Sequence, residues 1–504
     1  MKIQPAAADF ARSYDSGKPQ VVWTRLVADL ETPVSAMLKL STGRVNCFLL
    51  ESVEGGAVRG RYSIIGIEPD LIFRATGSKA EINRDPKGHP DRFEALAELS
   101  LEALRTLIGD SRIHLPAELP PLSAGIFGYL GYDMVRQMEE LGAPPPDPLG
   151  FPDAILIRPT ATVVFDAVKD EITIVSPVRP AAGVSAEQAL ARATDRLIAI
   201  VESLDTPLDK SAAAPEVDLT VDVVSNTSRE RYLDMVRKAK EYIAAGDIFQ
   251  VVLSQRFEAS FTLPPFALYR ALRRVNPSPF LYYLDFGDFA LAGSSPEILV
   301  RVRDGEVTIR PIAGTRRRGA TPEEDKVLTT ELLADPKERA EHLMLLDLGR
   351  NDVGRVAEIG TVKVTGQFFP EYYSHVIHIV SNVVGALAKE HDTLDALAAG
   401  FPAGTVSGAP KVRAMQIIDE LEAEKRGPYA GCVGYFSADG AMDTCIVLRT
   451  SIVKDGKMYV QAGAGIVADS VPESEFEECV NKSKALFRAA EEAVRFASTV
   501  GRGQ

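Results

Sequence analysis

The chain of 504 residues has few cysteines and few histidines, and this limits the chemistry open to it. Its four cysteines, Cys47, Cys432, Cys445 and Cys479, form no CxxC pair, and its six histidines are scattered without an HExxH sequence. A disulfide framework and a catalytic zinc site therefore have no support. Separate, reduced thiols are typical of a cytoplasmic protein, and this is the location that we predict.

The sequence also lacks long apolar runs and an excess of positive charge. No stretch of about 18 uncharged apolar residues occurs, and the N-terminal segment MKIQPAAADFARSYDSGKPQ has no apolar core of a signal peptide. The formal net charge of −14 repels phosphate backbones and anionic lipid. We therefore predict a soluble protein with neither nucleic acid nor membrane as a partner, in which a local cluster of donors holds any anionic substrate.

Two segments resemble nucleotide-binding motifs but lack the context that these motifs require. QAGAGIVAD contains a GxGxxA sequence after a strand pattern, but Pro472 follows too soon for the helix of a dinucleotide fold. SGAPK at 407–411 does not fit the frame of a phosphate-binding P-loop. Both kinds of nucleotide site are therefore excluded.

The remaining sequence has the ordinary composition of a globular protein, with 46% hydrophobic and 25% charged residues. Short apolar runs separated by turn signals alternate with segments of helical spacing, such as 92–108, which predicts an α+β fold with largely antiparallel sheets. Ser228 and Gly246 predict the two ends of one helix. Proline, small and acidic residues around 204–226 indicate a linker, so we predict an N-terminal domain at 21–180, a linker region at 181–225 and a C-terminal domain at 226–490.

Two predicted helices near the C-terminus each carry two carboxylates on one face. Glu338 and Glu341 in DPKERAEHL are three residues apart, and so are Glu475 and Glu478 in PESEFEECVNK. Four such side chains would repel one another unless a cation lay between them, and Mg²⁺ is the hard cation that prefers oxygen ligands. Asp335 followed by proline and Glu338 also fits an ordinary helix start, so the spacing alone leaves both interpretations open.

Groups that could bind an anion lie close by in the sequence. Residues 463–465 (GAG) follow a strand pattern and could present successive backbone N–H groups to a carboxylate. Arg449, at the end of CIVLR, could clamp a carboxylate with two hydrogen bonds. Each also fits a tight turn or a surface charge. Together with the four glutamates they would suit a magnesium-dependent enzyme that acts on a small dicarboxylate, but the residue pattern alone leaves the ordinary interpretations open.

Several longer segments resemble the chorismate-utilising enzyme family. They are PIAGTRRRG (311–319), ELLADPKERAEHLMLLDLGRNDVGR (331–355), TVSGAPKVRAMQIIDELE (405–422), YAGCVGYFSADGAMDTCIVLRT (429–450) and QAGAGIVADSVPESEFEECVNKSKAL (461–486). LLESVEGGAVRGRYSIIG (49–66) and GIFGYLGYD (125–133) resemble the N-terminal domain of that family. The resemblance implies large, mostly antiparallel sheets that are packed as a sandwich and flanked by helices.

The resemblance also implies roles for individual residues. Mg²⁺ would be the cofactor, with Glu341, Glu475 and Glu478 as ligands and Glu338 beside them as a catalytic residue. Glu297 would be the general acid that protonates the departing C4 hydroxyl of chorismate, because burial can raise the pKa of a carboxyl. Thr405 and His378 would also be catalytic, the histidine as a base or an orienting group in the loss of pyruvate. Chorismate would be held by Gly314, Thr315, Tyr429, Arg449, Gly463, Ala464, Gly465 and Lys482.

Two positions distinguish the branches of the family. Gln250 stands where members that add water carry a lysine base, and a neutral amide cannot deprotonate water. Ala313 stands where members that make aminodeoxychorismate carry a lysine, whose amine can attack C2. The resemblance therefore favours conversion of chorismate and ammonia to anthranilate and pyruvate, in tryptophan biosynthesis. Synthesis of aminodeoxychorismate, or a regulatory role without catalysis, are the alternatives.

The resemblance further implies a partner subunit and an inhibitor. The 504 residues contain no GxCxG nucleophile elbow, so ammonia from glutamine would need a separate glutamine amidotransferase as the second component of a hetero-oligomer. Tryptophan would inhibit by binding at Ser52, Pro279, Phe280 and Leu281. The family usually has Pro-Tyr-Met where this chain has Pro279, Phe280 and Leu281. We expect this difference to change the affinity for the inhibitor but not to abolish the site.

Overall fold

Strands from both halves of the chain form one antiparallel network. The structure is a computed structural model that describes residues 1–54, 58–120, 122–208, 222–373 and 376–499. Its strands are β1 (Gln20–Val27), β2 (Cys47–Glu54), β3 (Val58–Thr76), β4 (Lys79–Asn83), β5 (Glu94–Ala95), β6 (Gly125–Leu130), β7 (Ala154–Asp166), β8 (Glu171–Val178), β9 (Val224–Ser225), β10 (Gln250–Ser260), β11 (Phe280–Asp285), β12 (Phe289–Ser295), β13 (Ile298–Arg303), β14 (Glu306–Ile309), β15 (Ile312–Arg317), β16 (Lys363–Tyr372), β17 (Val376–Ala386), β18 (Gly408–Ala409), β19 (Cys432–Ser437), β20 (Met442–Ile446), β21 (Thr450–Lys454) and β22 (Lys457–Ile466).

Helices cover the outside of this network. They are α1 (Ala7–Asp15), α2 (Pro33–Leu40), α3 (Ser100–Asp110), α4 (Ala186–Asp205), α5 (Arg229–Ala245), α6 (Pro265–Val275), α7 (Pro322–Ala334), α8 (Pro336–Gly354), α9 (Thr393–Gly400), α10 (Lys411–Leu421) and α11 (Pro472–Thr499). Short 3₁₀ helices lie at Tyr132–Gln137 and Gly404–Val406. No helix in the described ranges combines the length and the apolar character needed to span a bilayer.

The strand pairings join the two halves of the chain. Strand β2 pairs with β11, and β6 pairs with β19, so strands from before and after the predicted linker are direct neighbours. All pairings between the strands above are antiparallel. The predicted α+β class with antiparallel sheets is confirmed.

A core made of strand side chains lies between the sheet layers. Phe48 of β2 and Phe127 of β6 stack with their ring centroids 4.5 Å apart, and Tyr435 of β19 contacts Phe127 at 5.8 Å. Leu291 of β12 and Val433 of β19 are buried in the same cluster. The alternation of apolar residues along these strands produces this arrangement, because successive side chains point to opposite faces of a sheet.

The segment predicted as a linker, 181–225, contains the 20-residue helix α4. Ser185 caps its first turn by accepting a hydrogen bond from the N–H of Gln188, and Ala193, Leu197 and Ile200 are buried on its inner face. Residues 209–221 of the predicted linker lie outside the described ranges. The domain boundaries stay a prediction.

Candidate active site

Strand β15 anchors a buried glutamic acid at the centre of the candidate site. Glu297 lies between β12 and β13, is 6% exposed, and accepts a hydrogen bond from the backbone N–H of Ile312 in β15. Burial raises its pKa to about 8, while the Ile312 N–H and the Thr405 hydroxyl partly offset this rise. Thr405 Oγ1 is itself buried and makes no well-aligned hydrogen bond within the described residues. The Glu297 carboxyl is therefore mostly protonated at neutral pH, as a general acid must be.

Two residues further along β15, the backbone fixes the tautomer of a buried histidine. His378 Nδ1 lies 2.9 Å from the carbonyl oxygen of Gly314 and 3.2 Å from the Thr315 hydroxyl. A carbonyl can only accept, so Nδ1 carries the proton and Nε2 keeps a free lone pair. Burial, together with the nearby charge of Arg449, lowers the pKa of His378 to about 4. The imidazole is neutral at neutral pH and able to take up a proton.

Gly314 allows this contact because its backbone is in the left-handed region. Its φ is +67°, and a Cβ there would lie 3.1 Å from the Ile379 side chain and 3.2 Å from Glu338 Oε2. The pairing between β15 and β17 shifts register between Ala313 and Thr315, at this residue. A side chain at 314 would strain the backbone and crowd the glutamate, so the position favours glycine.

Arg449 places a partly buried positive charge near the histidine. Its backbone is left-handed, with φ 47°, and burial lowers the pKa of its guanidinium. The phenol of Tyr373 opposes this shift, and no carboxylate of the described residues pairs with the guanidinium. The Tyr373 ring also packs edge-on against the imidazole of His378, with the centroids 5.2 Å apart. A partly buried cation of this kind suits an anionic ligand.

The predicted glycine-rich cradle forms the end of β22. Gly463 and Gly465 pair with Ser254 and Val252 of β10, and the Gly463 carbonyl accepts a hydrogen bond from Lys482 Nζ at 2.8 Å. A Cβ at Gly465 would lie only 2.5 Å from the amide nitrogen of Gln250. The side chain of Ala464 is fully buried in the core, so this residue can offer a ligand only its backbone.

The predicted carboxylates of α8 and α11 do approach one another. Burial raises the pKa of Glu341, and the negative charges of Glu338 and Glu478 raise it further. Burial, with the charge of Glu478, also raises the pKa of Glu475. Carboxylates that repel one another in this way fit a hard divalent cation, which would relieve the repulsion.

Two cations already pair with this carboxylate cluster. Arg316 binds Glu338 at 2.9 Å, and Lys482 binds Glu478 at 2.7 Å. In the side-chain arrangement of the described ranges, no group of three or more His, Cys, Asp or Glu residues forms a ready metal site. The alternative interpretation of the α8 sequence also holds, because Asp335 accepts hydrogen bonds from the N–H groups of Lys337 and Glu338 and caps the helix.

Comparison with known proteins identifies the family. Residues 45–488 match the family described as chorismate binding enzyme. The chain belongs to this family. It is 57% identical, over 98% of its length and 99% of the relative's, to anthranilate synthase component 1 of Cereibacter sphaeroides. The resemblance found in the sequence is therefore confirmed.

Solved structures of this chorismate-binding family have the same fold. Anthranilate synthase component I from Streptococcus pneumoniae TIGR4 superposes with a TM-score of 0.75 at 41% identity, covering 85% of this chain and 92% of that one. The menaquinone-specific isochorismate synthase of Escherichia coli gives 0.69 at 20% identity, covering 96% and 99%. At that identity the second likeness concerns the fold alone.

A cavity of about 670 Å³ in this chorismate-binding enzyme is lined by side chains of the paired strands β2 and β11, together with residues of β3, β13 and β20. Ser52 and Phe280 are direct partners across the two strands, so the first half of the chain meets the second half here. The structure brings all four predicted inhibitor residues into the wall of this cavity: Ser52, Pro279, Phe280 and Leu281. Tyr373 lies in its wall and also in that of the cavity that contains Arg449 and Lys482.

The sequence did not reveal three residues that the structure places around the site. Tyr373 contacts His378, Arg316 pairs with Glu338, and Arg426 packs against the ring of Tyr429. Arg316 belongs to the RRR run of PIAGTRRRG, and this run was the only sequence signal for it. Tyr373 and Arg426 lie between the recognised segments and carry no local signal.

Proposed function

We propose that this chain converts chorismate and ammonia to anthranilate and pyruvate in tryptophan biosynthesis. The name of its relatives, anthranilate synthase component 1, supports this proposal. The observation that carries the proposal is a pair of opposite pKa shifts at one strand. Glu297 has a pKa raised to about 8, His378 has a pKa lowered to about 4, and both are hydrogen-bonded to β15. Such a pair supplies an acid and a base at the same pH.

Two chemical steps follow from this pair. The Glu297 carboxyl donates its proton to the C4 hydroxyl, which leaves as water while the ammonia nitrogen forms a bond to C2. The new ammonium group on C2 loses a proton, which can return to Glu297. Nε2 of His378 then takes the proton from C2, and the C3–O bond breaks as the ring becomes aromatic. The released enolpyruvate gains a proton to become pyruvate. Gln250 at the cradle is a neutral amide, which favours ammonia over an activated water as the nucleophile.

The remaining site residues would bind and orient the dianionic substrate. Arg449 offers a partly buried guanidinium to one carboxylate, and the backbone around Gly463 and Gly465 offers N–H groups to another. Mg²⁺, held by Glu341, Glu475 and Glu478, would supply positive charge to the ring carboxylate when bound. Thr315 and Tyr429 complete the proposed substrate site.

We also propose a partner and an inhibitor for this enzyme. A separate glutamine amidotransferase subunit would deliver the ammonia, in a hetero-oligomer. Tryptophan would bind in the cavity that is lined by β2 and β11 and would lower the activity. The pairing of Ser52 with Phe280 supports this location, because an inhibitor there would touch both halves of the chain.

Product identification tests the proposal. Purified chain is incubated with chorismate, Mg²⁺ and an ammonium salt, and the products are separated and identified by mass. We expect anthranilate and pyruvate in equal amounts. Aminodeoxychorismate without pyruvate would assign the chain to the alternative reaction, and unchanged chorismate would indicate a homologue without catalysis.

A further inference from the structure

A buried ion pair lies directly behind the proposed substrate site. Arg426 is 3% exposed and Glu422 is 6% exposed. Nε of Arg426 donates to Glu422 Oε2 at 2.9 Å, and Nη2 donates to Oε1 at 2.6 Å. This two-pronged geometry fixes the plane of the guanidinium, because the fork of donors matches the carboxylate.

The same guanidinium also holds two backbone segments that carry site residues. Nη1 donates to the carbonyl of Val406 at 2.7 Å, and Nη2 donates to the carbonyl of Val252 at 2.7 Å. Val406 directly follows Thr405 in the 3₁₀ helix. Val252 lies two residues after Gln250 in β10 and is the direct partner of Gly465.

Glu422 extends this support to the other end of the cradle. Its Oε1 accepts hydrogen bonds from the N–H of Ser254 at 2.7 Å and from the Ser254 hydroxyl at 2.9 Å. Ser254 is the strand partner of Gly463. The ion pair therefore binds β10 at the two positions that face the glycines of the cradle.

Arg426 is also packed between two aromatic rings. Its guanidinium carbon lies 5.6 Å from the ring centroid of Tyr429, which belongs to the proposed substrate site, and 4.8 Å from that of Tyr132. Tyr132 belongs to the N-terminal half, and its N–H donates to the carbonyl of Gly427 at 2.9 Å. One side chain thus links the N-terminal half to the ring that would face the substrate.

From these contacts we propose that Arg426, with Glu422 as its counter-charge, is a positioning residue of the active site. It holds Thr405, Tyr429 and the strand behind the 463–465 cradle in the geometry that binds and converts chorismate. It does not touch the substrate. The proposal rests on the proposed function, because the residues that it positions are those of the proposed reaction. Lysine could not replace it, because a single ammonium cannot donate at the same time to both oxygens of Glu422 and to the carbonyls of Val406 and Val252.

The test compares Arg426→Lys and Arg426→Met with a control at a remote arginine. Arg158 also makes a two-pronged ion pair, with Asp70 at 2.7 and 3.1 Å, in a part of β7 that carries no site residue. Melting temperature, kcat and KM for chorismate are measured for each variant with ammonium as the nitrogen source, per amount of folded protein.

We expect Arg426→Lys to lower kcat/KM about tenfold or more, and Arg426→Met to lower it further, because small displacements of a site cost large factors in rate. Arg158→Lys should lower the melting temperature but leave kcat and KM within about twofold of wild type. A folded Arg426→Lys variant with wild-type kcat and KM would overturn the proposal. Absence of anthranilate from the wild-type chain would instead contradict the proposed function.

A second variant covers the case in which the Arg426 variants do not fold. Glu422→Gln keeps the shape of the side chain, and its carbonyl oxygen can still accept from Ser254 and from Nη2 of Arg426. Its amide nitrogen cannot accept from Nε of Arg426, and the negative charge is lost. We expect it to fold and to raise KM for chorismate about threefold or more. The reason is that the guanidinium loses its counter-charge and one of its two hydrogen bonds to residue 422. Unchanged kcat and KM in this variant would overturn the proposal.

Discussion

Glu297 and His378 are both hydrogen-bonded to the backbone of strand β15, at positions that are two residues apart. The N–H of Ile312 donates to the carboxyl of Glu297, and the carbonyl of Gly314 accepts the proton of His378 Nδ1. The contact with Gly314 leaves Nε2 of His378 its lone pair, whereas the N–H of Ile312 lowers the pKa of Glu297 against a larger rise that burial causes. Both side chains are buried, and burial is the main cause of each pKa shift.

The first prediction concerns the pH dependence of turnover. The active form has Glu297 protonated and His378 neutral, with pKa values of about 8 and about 4. Activity should therefore be flat between these values, fall above pH 8 as Glu297 loses its proton, and fall towards pH 4 as His378 gains one. Steady-state rates from pH 4 to 10 with ammonia in excess at every pH measure this. A rate that keeps rising above pH 9 would contradict the role of Glu297.

The second prediction concerns the source of nitrogen. The 504 residues contain no GxCxG nucleophile elbow, and all four cysteines are buried with raised pKa values. The chain alone should therefore make anthranilate from ammonium salts but not from glutamine. Anthranilate fluorescence with each nitrogen source decides between these outcomes. Turnover of glutamine by the purified chain would show that no partner is needed.

The third prediction concerns the metal. Glu341→Gln should raise the Mg²⁺ concentration needed for half-maximal activity about tenfold or more, because it removes one anionic ligand from the carboxylate cluster. Glu331→Gln is the control, since that side chain is exposed on α7. Titration of each variant with Mg²⁺ after treatment with EDTA measures the difference. Full activity of the wild-type chain in EDTA would exclude the metal role.

The fourth prediction concerns inhibition. Phe280 and Ser52 are strand partners that both line the cavity beside β2 and β11, so Phe280→Ala should weaken inhibition by tryptophan about tenfold or more. Val168→Ala is the control, because its side chain is 73% exposed in the turn after β7. Inhibition curves at a fixed chorismate concentration compare the two. Equal inhibition of both variants would mean that tryptophan binds at a different site. No inhibition of the wild type at millimolar tryptophan would contradict the proposed inhibition altogether.

The local parts of the fold were predictable from the sequence. Helix α5 begins after Ser228, whose side chain caps it, and ends at Gly246 with φ 84°, as the two residues predict. The helical spacing of 92–108 was only partly right, because α3 begins at Ser100 and Glu94–Ala95 form strand β5 beside β4. Pairing of β5 with the preceding strand β4 decided that boundary, and the helical spacing of apolar residues carries no information on it.

The site was predictable where long segments resemble the family, and not elsewhere. The four glutamates of α8 and α11 lie in recognised segments, whereas Glu297 and His378 lie between such segments. The roles of all six residues stay proposals. Tyr373 and Arg426 act through packing across the sheet, so only the folded chain shows their contacts with His378 and Tyr429. The pairing of Arg316 with Glu338 likewise joins a strand to a helix, and spacing does not give it. Lys482 and Glu478 are instead four residues apart on α11, so spacing alone allows that pair.

A single-turnover experiment tests the acid and base pair most directly. Wild type, Glu297→Gln and His378→Met are mixed with chorismate, Mg²⁺ and ammonium, quenched at intervals, and assayed for chorismate, aminated intermediate and anthranilate. His342→Met is the matched control, because His342 is also buried with its pKa lowered to about 4 but bonds to Ser381.

We expect Glu297→Gln to leave chorismate almost unconsumed, slowed by about 10²-fold or more, because no proton reaches the departing hydroxyl. His378→Met should consume chorismate and accumulate the aminated intermediate, whereas His342→Met should not change the ratio of intermediate to anthranilate. Anthranilate formed by His378→Met at the wild-type rate, with no intermediate, would contradict the account.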